Sequence, residues 1–259
     1  MDTFTIATWN VNSLRVRLPH VLKWLSVIKP DVLALQEIKM PDSDFPVACI
    51  NQAGYQVIYS GQRTYNGVAI LSRAAASQVI TDLPGLNDPQ RRVLGATING
   101  LRILNLYVPN GESVTSDKYQ YKLGWIKQLD VLLKAELQAH HNVLVLGDFN
   151  IAPAERDVHD ATAWEGHVLF TQPERQAFQS ILRLGFKDCF REQHREEAGF
   201  SWWDYRMNAF KRHLGMRIDH ILASEALYTH CIKAYVDQDP RAWERPSDHA
   251  PVIAEFNLA

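Results

Sequence analysis

Cysteine is scarce in this chain and long apolar runs are missing, and each scarcity removes whole classes of protein. Only three of 259 residues are cysteine: Cys49, Cys189 and Cys231. They are odd in number, far apart and never in a C-x-x-C pattern, which argues against a disulfide framework and a zinc knuckle. The longest apolar stretches, such as Val32-Leu33-Ala34-Leu35, fall far short of the about 20 residues that a membrane-crossing helix needs. The start, Met1-Asp2-Thr3-Phe4, lacks a basic segment and a strand-like run follows at once, so the sequence predicts no secretory signal, no membrane contact and a cytoplasmic location. Repeats, low-complexity tracts and Pro- or Ser-rich linkers are also lacking. Residues 1–259 therefore read as one domain, and without an exposed heptad the expected state is a monomer. A hydrophobic content of 46% with 22% charged residues excludes a disordered chain. A chain of this length can bury a large core without metal or disulfide staples.

Charge of either sign is not in excess either. The net charge of −2 argues weakly against a nucleic-acid partner, because a basic surface usually supplies that affinity. Four acids read below as one site, Glu37, Asp148, Asp219 and Asp248, account for the acidic surplus. Without them 27 basic residues face 25 acidic ones, so net charge decides little.

What is present in abundance is strand-like patterning. Apolar runs occur at 4–9, 32–36, 55–59, 68–71, 93–98, 103–108, 143–146, 218–222 and 252–256. Helical spacing is rarer. It appears after Pro19, with Pro30 as the stop, over Asp117–His140 with Ile126, Leu129, Leu133 and Leu137 on one face, and from Pro173 to about Leu184. Asn99-Gly100 between two strand patterns is a two-residue hairpin signal that sets Arg92 opposite Tyr107. Strands are too many for a simple alternating parallel sheet. The expected class is α/β, with two stacked mixed sheets and helices on the outer faces.

Polar residues recur at the ends of these strands. Asn10 and Asn12 follow the first, Glu37 the second, Asp148 and Asn150 the run 143–147, Asp219 lies in 217–222, and Asp248-His249 precedes the last strand. Any one of them reads readily as a turn former or helix cap. Their recurrence on one chain weakens that reading. Carboxylate and amide oxygens without cysteine suit Mg²⁺ or Mn²⁺ rather than zinc. A hard cation beside an Asp–His pair suits phosphodiester hydrolysis, with water aimed in line and an imidazolium facing the developing oxyanion.

Six segments in order, Thr8–Arg15, Leu35–Lys39, Asn105–Asn110, Leu146–Pro153, Gly215–His220 and Pro246–Pro251, resemble the successive motifs of the exonuclease III family. That family contains bacterial exodeoxyribonuclease III and apurinic/apyrimidinic endonucleases. The resemblance spans residues 8–251 and implies a four-layered αββα sandwich. It implies a Mg²⁺-dependent hydrolase, with Mn²⁺ as a possible substitute, that acts on double-stranded DNA with abasic or 3′-end lesions. The implied work is 3′→5′ hydrolysis from 3′ ends, removal of 3′-blocking groups and incision 5′ of abasic sites.

Carried over residue by residue, Glu37 is the principal metal ligand, with Asn10, Asn12 and Asp248 nearby. Asp148 aligns or deprotonates the attacking water and Asn150 orients it. Tyr107 lies against the scissile phosphate and Asn110 binds it too. His249 holds a phosphoryl oxygen while Asp219 fixes its ring. A second metal at Asp148, Asn150 and His249 stays open.

Between residues 200 and 217 aromatics alternate with basic residues, a pattern suited to probing a groove and holding bent DNA. Trp203 reads as core. By resemblance, Trp202, Met216 and Ile218 form the pocket for an extrahelical sugar. Met216 stands where relatives often have Trp or Leu, and the loop Gly111-Glu112-Ser113 lacks an arginine that some abasic-site enzymes carry. Arg91 and Arg92 are candidates for backbone phosphates, a contact that sets register and not sequence. Two other readings compete: the same chemistry on RNA, a lipid or an inositol phosphate, and a DNA-binding module that has lost catalysis. The full set of candidate residues speaks against the second.

Overall fold

The computed structural model describes residues 3–258, so the sequence reading at Met1 and Asp2 lies outside it. In chain order the first elements are β1 (Thr3–Asn10), α1 (Leu14–Ile28), β2 (Val32–Gln36), α2 (Val47–Gln52), β3 (Gln56–Ser60), β4 (Val68–Ser72) and β5 (Ser77–Ile80). Next come β6 (Val93–Ile98), β7 (Leu101–Tyr107), α3 (Asp117–Ala139), β8 (Val143–Asp148), α4 (Ala161–Trp164) and α5 (Gln172–Arg183). The last are β9 (Phe186–Asp188), α6 (Cys189–Gln193), β10 (Trp202–Trp203), β11 (Gly215–Met216), β12 (Asp219–Ser224), α7 (Glu225–Tyr228), β13 (Cys231–Val236) and β14 (Val252–Asn257).

Two six-stranded mixed sheets, ordered β13-β14-β1-β2-β4-β3 and β5-β6-β7-β8-β12-β9, stack face to face. Alternation along the strands explains the layers. Ile6, Ala34, Ile70, Ala96, Ile103, Leu144, Leu146 and Ala254 point between the sheets. Their neighbours Ala7, Leu33, Leu35, Leu71 and Ile253 point outward under Val21, Trp24 and Leu25 of α1. Leu104, Leu106, Val143 and Val145 face Trp125, Ile126 and Leu129 of α3 and Phe178 and Ile181 of α5. Strands covered on both faces carry unbroken apolar runs, as β2 and β8 do. The expected αββα sandwich is what forms.

The Asn99-Gly100 hairpin is present, with both residues at positive φ and Val93 opposite Leu106. The Arg92 carbonyl accepts from the Tyr107 N–H, as that register requires. Helix α5 starts at Gln172 on a Thr171–Glu174 capping box. Helix α1 departs from expectation: it begins at Leu14 and Pro19 lies inside it. Burial of Leu14, Val21, Trp24 and Leu25 along one face outweighs the one backbone hydrogen bond that Pro19 cannot make. Strands β5, β9, β10, β11 and β13 carry no clear signal in the sequence because they are short or lie at sheet edges, where half-exposed residues blur the period. Among the described residues no helix is long and apolar enough to cross a membrane.

The parallel pairs β1/β2 and β7/β8 end at the same rim, with Asn10 level with Gln36 and Tyr107 level with Asp148. β12 runs the other way and begins at that rim, so Asp219 lies opposite Asp148. A buried polar bridge just below joins the sheets. Gln36 Nε2 donates to Asn105 Oδ1 at 2.7 Å, and Asn105 Nδ2 donates to the Leu35 and Ala69 carbonyls at 2.9 Å.

Candidate active site

The rim gathers side chains separated by more than two hundred residues in sequence. Asn10 Nδ2 donates to Glu37 Oε1 at 2.7 Å and to Asp148 Oδ2 at 2.9 Å. Its own amide oxygen accepts from the Asn12 backbone N–H at 3.0 Å, which fixes the amide with its NH₂ toward the carboxylates. Ligand atoms of Glu37, Asp148 and His249 all lie within 4.8 Å of one another. The two carboxylates among them fit a hard divalent cation, with the imidazole beside them. Asp248 is not in that group. Its Oδ1 accepts from Asn12 Nδ2 at 3.0 Å and its Oδ2 from Trp202 Nε1 at 3.0 Å. Lys39 Nζ lies 2.8 Å from Glu37 Oε2 and donates to Asn12 Oδ1 at 2.6 Å.

Behind the cluster stands a buried relay. His249 Nδ1 is 2.8 Å from Asp219 Oδ2, and its Nε2 faces Asp148 Oδ2 at 3.8 Å. Ser201, wholly buried, donates to Asp219 Oδ2 at 2.7 Å and accepts from the backbone N–H groups of Ile218 and Asp219 at 3.1 Å. Nothing local in the sequence marks Ser201, because its partners are brought by β12. Asn150 anchors Asp148 from the other side through its backbone N–H on Oδ1 at 2.9 Å. Asn110 Nδ2 reaches Asn150 Oδ1 at 3.1 Å.

Burial and neighbouring charges together set the protonation states. It pushes the Asp148 carboxyl up to about 7, with the His249 cation pulling down and Asp219 pushing up. For His249 burial works against the charged ring, but the Asp219 and Asp148 carboxylates outweigh it and lift the ring to about 10. Burial raises the Tyr107 phenol well above its usual range, and the Glu37 and Asp148 charges add to that. Asp248 is held below the usual carboxylate range: burial opposes this, but His249 and the Trp202 and Asn12 hydrogen bonds prevail.

The backbone here is bent for the task. Asn12, Glu37 and Asn150 are all left-handed, at φ 43, 53 and 49. Such conformations cost on the order of 1–3 kcal/mol each and concentrate at functional sites. Gly147 at φ 143 brings β8 so close to β7 that a Cβ would overlap the Leu106 carbonyl oxygen.

The outlying candidates divide. Trp202 is half-buried and lines a 320 Å³ cavity with Asn110, Trp164, His167 and Leu169. Met216 and Ile218 are not among its lining residues. Met216 pairs with Trp202 across β10 and β11, and the Met216 and Ile218 side chains are fully buried among Ala152, Val158, Leu169 and Phe170. Arg92 is nearly buried. Its guanidinium packs on the Tyr107 ring at 4.6 Å and donates to Gln90 and to the Tyr107 carbonyl. Arg91 is engaged with Asp82 at 3.0 Å. Trp203 is core.

The model of the endonuclease/exonuclease/phosphatase family matches residues 7–249. The chain belongs to that family. Its relatives within the family narrow the class: it is 35% identical to exodeoxyribonuclease III of Haemophilus influenzae, covering 96% of this chain and 98% of that one. Among solved structures, the 3′ phosphatase NExo from Neisseria, bound to a product DNA hairpin, is 47% identical with a TM-score of 0.97 and covers 98% of this chain and 100% of its own. An AP endonuclease from Archaeoglobus fulgidus is 40% identical with a TM-score of 0.96, covering 98% of this chain and 100% of its own. This family member is therefore a hydrolase of the exodeoxyribonuclease III and AP endonuclease type. The clustered carboxylates give it a candidate acidic metal site.

Proposed function

We propose that the protein is a Mg²⁺-dependent DNA-repair phosphodiesterase that hydrolyses duplex DNA 3′→5′, removes 3′-blocking groups and incises 5′ of abasic sites. The observation that carries this is the meeting of Glu37, Asp148 and His249 within 4.8 Å, with Asp219 behind the imidazole. Similarity over nearly full length to enzymes named exodeoxyribonuclease III, 3′ phosphatase and AP endonuclease supports DNA as substrate.

Each side chain has a task that its environment favours. Asp148, poised at about 7 by burial, accepts a proton from water near neutral pH, and Asn150 fixes the carboxylate that aims it. His249 is cationic, its Nδ1–H held by Asp219, so Nε2–H is free to donate to a phosphoryl oxygen. Tyr107 stays protonated and serves as a second donor to the phosphate, with Arg92 packed on its ring. Glu37 would hold Mg²⁺, with Asn10 clamping its carboxylate and Asp248 bracing Asn12. The cation would supply Lewis-acid polarisation of the phosphoryl group. Trp202 and the cavity beside it suit the sugar of the nucleotide at the cut.

The test is cleavage of labelled duplexes carrying a 3′-phosphate, a recessed 3′-hydroxyl end or an abasic analogue, with Mg²⁺ and with chelator. Chelator-sensitive cleavage of at least one is expected. None on any of the three overturns the reading.

A further inference from the structure

Lys122 lies in the second turn of α3 with no surface exposed. A buried ammonium must find partners for its three N–H donors. Lys122 Nζ donates to Glu174 Oε1 at 2.5 Å, to the Asn150 carbonyl at 2.6 Å and to the Asn110 carbonyl at 3.1 Å. Glu174 is equally buried and already occupied. It accepts from the backbone N–H groups of Leu169 at 3.1 Å and Thr171 at 2.9 Å, and from the Thr171 hydroxyl at 2.7 Å.

A dry ion pair seldom stabilises a fold more than apolar residues of the same volume would, so stability alone explains this one poorly. Its two carbonyl partners explain more. Asn110 and Asn150 belong to the loops that leave β7 and β8, and their side chains are joined to each other. Asn150 also donates from Nδ2 to the Val108 carbonyl at 3.0 Å and from its backbone to Asp148 Oδ1. The loop beyond Asn110 closes against the lysine stem, because a Cβ at Gly111 would lie 3.2 Å from Lys122 Cδ.

We infer that Lys122 is a positioning residue for the phosphodiesterase reaction, pinning the Asn110 and Asn150 loops together so that both amides and the Asp148 carboxylate stay aimed at the phosphate. Glu174 holds the lysine from behind and ties it to the start of α5. The clamp acts without touching substrate, and the inference rests on the nuclease reading above.

The experiment compares Glu174→Gln with Lys122→Met/Glu174→Gln. In the first the buried lysine, facing a neutral amide, gives up its proton, and the amine keeps two N–H donors for the two carbonyls. The second removes them without stranding a charge, and the amide oxygen that replaces the Glu174 carboxylate can still accept from Thr171. With the fold checked by circular dichroism, the double variant should lose about 10²-fold in kcat, the scale for a small misplacement of reacting groups, while KM for DNA stays within about threefold. Glu174→Gln should retain most of its activity. If the double variant does not fold, Lys122→Gln/Glu174→Gln, which restores one neutral donor, takes its place. In the wild-type protein, NMR should show couplings across the hydrogen bonds from Lys122 ¹⁵Nζ to the Asn110 and Asn150 carbonyl carbons. A folded variant with the kcat of Glu174→Gln, or missing couplings, overturns the inference. Absent DNA cleavage by the wild type sinks the nuclease reading instead and leaves the couplings to judge the clamp.

Discussion

Ser201→Ala should damage both the stability of the protein and its chemistry, and the structure sets the size of each effect. The hydroxyl is wholly buried, donates to the Asp219 carboxylate at 2.7 Å and accepts two backbone N–H groups at 3.1 Å. A hydrogen bond to a charged group contributes about 1.5–3 kcal/mol, and stranding buried N–H groups costs about 1–3 kcal/mol. The effects share one hydroxyl and do not simply add, so a loss of about 2–4 kcal/mol is expected. Asp219 Oδ1 has no hydrogen-bond partner among the described residues. Among the described residues, removing Ser201 leaves His249 as the side-chain partner of the carboxylate, which can then turn and carry the imidazole with it. Partners that orient a working histidine are worth about 10–100-fold in activity. Urea unfolding followed by tryptophan fluorescence reads the first effect, and kcat on a 3′-phosphate duplex reads the second. A variant within about 0.5 kcal/mol of wild type, the range of ordinary surface changes, and with unchanged kcat would refute the claim that Asp219 needs support.

Asp148→Asn keeps the shape of the site but removes its proton acceptor, so kcat should fall about 10²–10⁴-fold with the fold intact; unchanged turnover would take Asp148 out of the chemistry. Gly147→Ala should cost about 4 kcal/mol or more, because the new methyl meets the Leu106 carbonyl at a positive φ, and a melting temperature near wild type would contradict that close approach. Burial, with Arg217 adding to it, lowers His220 to about 4. Above pH 6.5 neither state binds that proton. As pH falls toward 4 the unfolded chain takes it up and the folded protein does not, so stability drops by about 3 kcal/mol. Asp148, raised by burial, works in the opposite sense over the same window. The readout is therefore wild type against His220→Gln, whose stability difference should shift by that amount between pH 7 and pH 4; parallel curves would refute it.

Much of this architecture could be read along the chain because its determinants are local. The runs Val32–Gln36 and Val93–Ile98 are strands with the expected bounds, since an apolar run this short beside Pro30 or Asn99-Gly100 leaves no room for a helix. Asn99-Gly100 set the β6/β7 register alone, because a two-residue turn with both φ positive admits one pairing. The six motifs likewise carried the family, and Glu37, Asp148 and His249 do converge.

Other features exist only through contacts between segments distant in sequence. Pro19 suggested a helix start, but packing under the first sheet carried α1 back to Leu14. Trp202 and Met216 looked alike as pocket residues. Pairing of β10 with β11 and the covering segment 152–170 leave the tryptophan at the cavity and seal the methionine. Ser201, Lys122 and Glu174 carry no motif at all, since a hydroxyl or a buried ion becomes meaningful only once the fold has brought its partners. The sequence alone determined the layers and the identity of the reactive groups, because periodicity and residue chemistry are properties of short segments. Which hydrogen bonds hold those groups, and how burial shifts their protons, was decided only by the packing of the two sheets.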